Sequence, residues 1–300
     1  MSSESPSELF TTIVDSIPAD FNSPEDDYLT VREKMAPLHG GALADTTVCE
    51  DAGLGDQAST WVTAAEVDDR GWHGLFCHGG GFVSVRMPEY LFWGEWVSRN
   101  LNTKTLVPDY RLAPEHPYPA ALEDCLSAWR AMLDAGIDPA TVIFTGDSCG
   151  GGLALCAMIK ARDEGLPLPA GFVGFTAWYD LTLPGESGIN PGGKDPFITP
   201  GWYHNRVRDY LGQADLDAAY TSATRSDCSG LPPLLLQTGA IDLTRDSAIE
   251  MARVASAANV QVELQLCQHM VHGFQGLAGV PEADAAWQSA RQFVEKILNN

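Results

Sequence analysis

The chain has 300 residues, 45% of them hydrophobic, which is ample for one large core. Forty acidic against 18 basic residues leave a formal net charge of −22, which repels phosphate backbones and anionic bilayers and argues against nucleic-acid or membrane partners. No apolar stretch approaches the length of a membrane span, and the polar, acidic start Met1-Ser2-Ser3-Glu4-Ser5-Pro6 does not read as a secretory leader.

Near the start, Leu9, Phe10, Ile13, Val14 and Ile17 fall at helical spacing. The next clear signal is an apolar run that predicts a strand near 73–77 and leads into His78-Gly79-Gly80-Gly81-Phe82. Three successive glycines leave backbone N–H groups uncovered, and two such groups beside a nucleophile can bind a developing oxyanion. A strand near 103–108 precedes Asp109 to Asp124, a proline-rich polar stretch that reads as a rigid lead into a helix spanning 118–133. Within it Asp109, Glu115 and His116 are read as structural hydrogen-bonders.

A strand near 141–145 ends in Gly146-Asp147-Ser148-Cys149-Gly150, and a helix over 153–162 follows. A serine at the tip of such a strand–turn–helix stands clear of the backbone, and the helix aims its free N–H groups and positive dipole end at it. After a strand near 171–176 comes an irregular stretch, 184–212, rich in glycine and aromatic residues such as Pro191, Gly192, Gly193, Phe197, Trp202 and Tyr203. A long irregular insertion of this kind is often a lid, although Trp202 and Tyr203 also fit ordinary helix packing.

The strand near 233–238 ends just before Asp242, the position where open α/β sheets carry functional residues. Asp246 is the competing acid, better placed to cap a helix over 247–257. A last strand near 260–266 delivers His272, with His269 as the alternative base.

Strands that alternate with helices imply right-handed crossovers and a mostly parallel sheet, here one α/β domain over 1–300. The strands are too apolar for a half-exposed sheet, so helices are expected on both faces. Ser148, Asp242 and His272 follow one another in the nucleophile–acid–base order of α/β-hydrolases, which differs from the chymotrypsin and subtilisin orders. The seven cysteines show neither metal-ligand nor disulfide spacing and suit a reducing, cytoplasmic setting.

From roughly Trp61 to the C-terminus the chain resembles the hormone-sensitive-lipase-like branch (family IV) of bacterial carboxylesterases. The resemblance rests on His78-Gly79-Gly80-Gly81-Phe82, on the stretch from Pro108 to Asp124, on Gly146-Asp147-Ser148-Cys149-Gly150-Gly151 and on His272-Gly273-Phe274. A weaker likeness, over 160–169 and 180–183, is to the monoterpene ε-lactone hydrolase and heroin esterase subgroup.

The resemblance implies an α/β-hydrolase fold capped by the N-terminal helices (about 1–45) and the 184–212 insertion. It implies Ser148 as nucleophile, Asp242 as acid and His272 as base, with the N–H groups of Gly80, Gly81 and Cys149 as oxyanion donors. Phe82, Trp202 and Tyr203 are expected against the substrate, a small ester or lactone. No metal or cofactor is expected, and relatives of this kind often pair as homodimers. Cys149 stands where alanine is usual, which puts a thiol beside the nucleophile and suggests partial sensitivity to thiol reagents. A non-catalytic ligand-binding module on the same fold is the rival from another class, but such modules lose the histidine that this chain keeps at position 272.

Overall fold

The computed structural model describes residues 5–18, 20–39, 41–54, 58–85, 88–185 and 195–299. Eight strands make one sheet: β1 (Val48–Asp51), β2 (Ser59–Thr63), β3 (His73–Cys77), β4 (Lys104–Pro108), β5 (Val142–Asp147), β6 (Gly171–Phe175), β7 (Leu234–Gly239) and β8 (Val262–Cys267). Their spatial order is β1-β2-β4-β3-β5-β6-β7-β8. β2 runs antiparallel to β1 and β4, and every other pair is parallel. The six strands expected from the sequence are the parallel block, and the antiparallel edge is an addition to that expectation.

Alternation along the central strands explains why they read as unbroken apolar runs. Val142 and Phe144 of β5 join one core cluster while Ile143 joins the other. Leu234 and Leu236 of β7 divide from Leu235 in the same way. Successive side chains point to opposite faces, and both faces are covered, so the runs Val142–Phe144 and Leu234–Leu236 are apolar without a break. Helices α4 (Ala120–Asp134), α5 (Ser148–Asp163) and α7 (Arg245–Ala257) pack into the first cluster. Helices α3 (Leu91–Leu101) and α8 (Pro281–Leu298) pack into the second, where Trp93 and Trp287 meet at 6.0 Å.

Three further helices complete the set, α1 (Glu8–Ser16), α2 (Tyr28–His39) and α6 (Pro200–Leu211), and α6 adds Trp202, Tyr203 and Val207 to the first cluster. Helix α1 starts at Ser7, which accepts from the Phe10 N–H and donates both its N–H and its hydroxyl to Glu282 on α8. Helix α6 starts at Thr199, whose hydroxyl accepts from Trp202 N–H, with Pro200 in the first turn where its missing N–H costs nothing. The N-terminal segment and the 195–212 segment are bonded to each other. Asn205 donates to the carbonyl of Pro24 at 2.6 Å, Arg206 to that of Asp26 at 3.2 Å, and the Thr199 hydroxyl to that of Asn22 at 3.2 Å. Pro191, Gly192 and Gly193 of the expected insertion lie outside the described residues. Among the described residues, no helix is long and apolar enough to cross a membrane.

Candidate active site

The site begins where β5 turns into α5. Ser148 opens the helix with φ +51°, a strained value for a side chain with a Cβ and typical of a sharp functional turn. A Cβ on Gly150 would stand 2.2 Å from the carbonyl oxygens of both Cys77 and His78, so only glycine lets the exit of β3 touch the first turn of α5. That contact sets the triple-glycine loop beside Ser148. Gly80 has φ +106°, and a Cβ there would strike the Ser84 carbonyl at 2.4 Å.

Asp147 ties this corner together. Its carboxylate accepts the Gly79 N–H at 2.8 Å and the Tyr90 hydroxyl at 2.5 Å. Burial pushes it up to about 6, against the opposing pull of those two donors and of His272.

Cys149 is buried, and its sulfur accepts the Phe82 N–H at 3.2 Å. Burial first, and the Asp147 charge second, push its thiol up to about 12. An enclosed sulfur whose thiol is pushed up is a poor nucleophile, which argues against the expected thiol-reagent sensitivity.

Ser148, His272 and Asp242 meet at the carboxyl ends of β5, β8 and β7. His272 Nε2 lies 2.8 Å from Ser148 Oγ, and His272 Nδ1 lies 3.1 Å from Asp242 Oδ1. Asp242 is fully buried; Oδ1 also accepts from the N–H and the hydroxyl of Thr244 at 2.8 and 2.9 Å, and Oδ2 from the Thr238 hydroxyl at 3.1 Å. Burial alone would push His272 down. The charge and hydrogen bond of Asp242, then the charges of Asp195 and Asp147, outweigh it and hold the imidazole above its ordinary value. Asp246 pairs instead with Arg245 at 2.7 Å, and His272 rather than His269 is the imidazole in reach of the serine.

The cavity above Ser148 holds about 210 Å³. Phe21, Asn22, Met35, Phe92, Trp93, Phe197 and Trp202 line it, together with Gly80, Gly81, Ser148 and His272. Trp202 lines this cavity. Phe82 and Tyr203 do not: Phe82 stacks on Tyr210 at 3.9 Å, and Tyr203 packs on Trp178 at 4.1 Å and donates to the Asp180 carbonyl at 2.8 Å. Both are large, buried members of the core cluster behind the cavity wall, so their expected place against the substrate is corrected.

Asp195 is a site residue that the sequence reading lacks. It lies against the acid and the base, and the ligand atoms of Asp195, Asp242 and His272 fall within 4.8 Å of one another. Backbone and hydroxyl donors already engage the oxygens of both carboxylates. The local signal of Asp195 is the turn in which an aspartate accepts the N–H two residues on, here from Phe197 at 2.9 Å.

Residues 74–276 match the profile of a family described as having an alpha/beta hydrolase fold. The chain is 31% identical over 242 residues to an acetyl-hydrolase of Streptomyces hygroscopicus, covering 80% of each protein. It is 33% identical over 218 residues to the esterase LipI of Mycobacterium tuberculosis, covering 70% of this chain and 67% of that one. Among solved structures, EstE5 superposes with a TM-score of 0.92 at 30% identity over 98% of this chain and 100% of its own. An esterase of the bacterial hormone-sensitive lipase family does so with 0.91 at 31% identity over 99% and 100%.

Proposed function

The chain belongs to the α/β-hydrolase family and is a carboxylic ester hydrolase of its hormone-sensitive-lipase branch; from that premise we propose that it works by serine catalysis on small esters. The 2.8 Å approach of His272 Nε2 to Ser148 Oγ, with Asp242 behind the imidazole, is the observation that supports this most.

His272 removes the Ser148 proton as the hydroxyl oxygen attacks the ester carbonyl. Asp242 fixes the tautomer with the proton on Nδ1 and stabilises the imidazolium that forms. The N–H groups of Gly80, Gly81 and Cys149 receive the oxyanion, each worth on the order of 3 kcal/mol at the transition state. The alcohol departs with the proton from His272 and leaves an acyl-Ser148. Water then attacks, and the same base and donors release the acid. The N-terminal segment and the segment around α6, bonded to each other, form a cap over the cavity.

The cavity of about 210 Å³ is smaller than sites that hold drug-sized ligands, which start at roughly 300 Å³, and this supports short-to-medium acyl chains. The same machinery opens a lactone, which is a cyclic ester, and rates on ε-lactones against open-chain esters separate the two. Trapping the acyl-enzyme tests the reading directly. Rapid quench with p-nitrophenyl butyrate followed by peptide mass spectrometry should find a butyryl group on Ser148; its absence under burst conditions refutes the mechanism.

A further inference from the structure

The geometry points to Asp195 as a positioning residue that registers the roof of the cavity on the acid and base loops and holds the two loops together. This rests on the serine-esterase reading. Asp195 is buried, and its Oδ2 accepts two backbone N–H groups at once: that of Leu243, next to the acid, at 3.1 Å, and that of His272 itself at 3.2 Å. One oxygen therefore spans the loops that leave β7 and β8. Its other oxygen accepts the Phe197 N–H at 2.9 Å. Phe197 lines the cavity, and its carbonyl accepts the side-chain amide of Asn22, another lining residue from the N-terminal segment. Three hydrogen bonds to one side chain thus connect the substrate wall to both proton-handling residues.

The chemistry of that side chain is specific. Three N–H donors converge on two oxygens, a demand that a carboxylate meets and a carboxamide does not, because its NH₂ would face a donor. The position is costly as well. Burial first, and the neighbouring Asp242 charge second, push Asp195 up to about 6, while His272 and the backbone donors of Phe197 and Leu243 pull it back. The titratable groups facing it are Asp242 and His272. A buried negative charge kept next to the catalytic acid stabilises the imidazolium during proton transfer, in addition to aligning the loops. It is also one of the charges that raise His272.

The test uses the full chain carrying Asp195→Asn, with p-nitrophenyl butyrate kinetics from about pH 5 to about pH 9. The expected result is a fall in kcat of about 10- to 100-fold with KM little changed. The acid limb of kcat/KM should also move down, because a charge that favours protonated His272 is gone. A carboxylate whose charge does not reach His272 would leave that limb in place, so an unmoved limb overturns the assignment whatever happens to kcat. If Asp195→Asn fails to fold by circular dichroism, Asp195→Glu carries the test. It keeps the charge but displaces the oxygens, so kcat should fall with the limb in place, and a kcat within about twofold of wild type overturns the proposal. Labelling wild type with phenylmethylsulfonyl fluoride keeps the two readings apart. A label on Ser148 with silent Asp195 variants sinks only the Asp195 role, whereas no label on Ser148 sinks the serine mechanism beneath it.

Discussion

Ser148 Oγ and His272 Nε2 stand 2.8 Å apart although 124 positions of chain separate the two residues. Neither residue has another reason to be there: the serine takes a strained φ of +51°, and the histidine is buried against carboxylates. Ser148→Ala should keep its fold and lose about 10⁴-fold or more of its p-nitrophenyl ester hydrolysis. Steady-state kinetics on protein cleared of contaminating esterase checks this, and retained turnover would remove Ser148 from the mechanism.

The acid is a choice between two neighbours that the structure separates cleanly. Asp242 is buried on the imidazole with Thr238 and Thr244 donating to it, whereas Asp246 is held by Arg245. Asp242→Asn should lower kcat by about 10³- to 10⁴-fold, because the amide leaves the wrong tautomer facing the serine. Asp246→Asn should cost less than about tenfold. The opposite ranking in parallel assays would transfer the role to Asp246.

The pH profile follows from the sign of the His272 shift. A base works when neutral, and the carboxylates around His272 raise it above its ordinary 6.5 despite burial. Activity is therefore full on the alkaline side and is lost as pH falls through the raised value. The acid limb of kcat/KM, which reports the free enzyme, should have its midpoint above 6.5. A midpoint below 6.5 would mean that desolvation dominates.

Legibility in the sequence tracked burial and local chemistry. β5 and β7 were readable because two covered faces make their first three positions apolar. β1, exposed at all four residues, carries no such pattern, and so the antiparallel edge stayed hidden. Helix α8 repeats Ala286, Trp287, Ala290, Phe293 and Val294 at helical spacing, but its alanines weaken the stripe. Ser148 and His272 announce themselves through adjacent glycines. Asp195 offers only the turn to Phe197, because the N–H groups of Leu243 and His272 that it also binds come from distant stretches of backbone. Phe82 and Tyr203 were misplaced for a related reason: an aromatic residue in a motif does not reveal which side of a wall its ring occupies.

Cys149 should resist alkylation despite lying next to the nucleophile. With its thiol pushed up to about 12, the thiolate fraction at pH 8 is on the order of 10⁻⁴, and the sulfur is also enclosed. Cys49, the exposed cysteine, should react first with iodoacetamide. Peptide mass spectrometry after partial labelling should find Cys49 modified, Cys149 intact and hydrolysis preserved. Modified Cys149 in folded protein would show that the loop opens in solution.

Arg32 fastens helix α2 to the loops beneath the site. Its guanidinium donates to the Val83 and Ala113 carbonyls at 2.7 and 3.2 Å and grips Glu115 with two bonds of 2.7 Å. The Glu115 side chain is 46% exposed, so the charge component is screened and worth under about 1 kcal/mol. The bonds to buried-side carbonyls add a comparable amount. Arg32→Ala should therefore destabilise the protein by about 1 to 2 kcal/mol. It should also raise KM a few-fold, about two to five, because α2 carries Met35 into the cavity wall. Arg32 holds Glu115 down to about 2 from its ordinary 4.5. A depressed carboxylate contributes stability that is complete above 4.5 and lost as pH falls toward 2, so the gap between wild-type and Arg32→Ala melting temperatures should narrow across that window. Melting curves that stay parallel down to the acid end would show that the Glu115 charge contributes nothing and that the carbonyl bonds alone hold α2 in place.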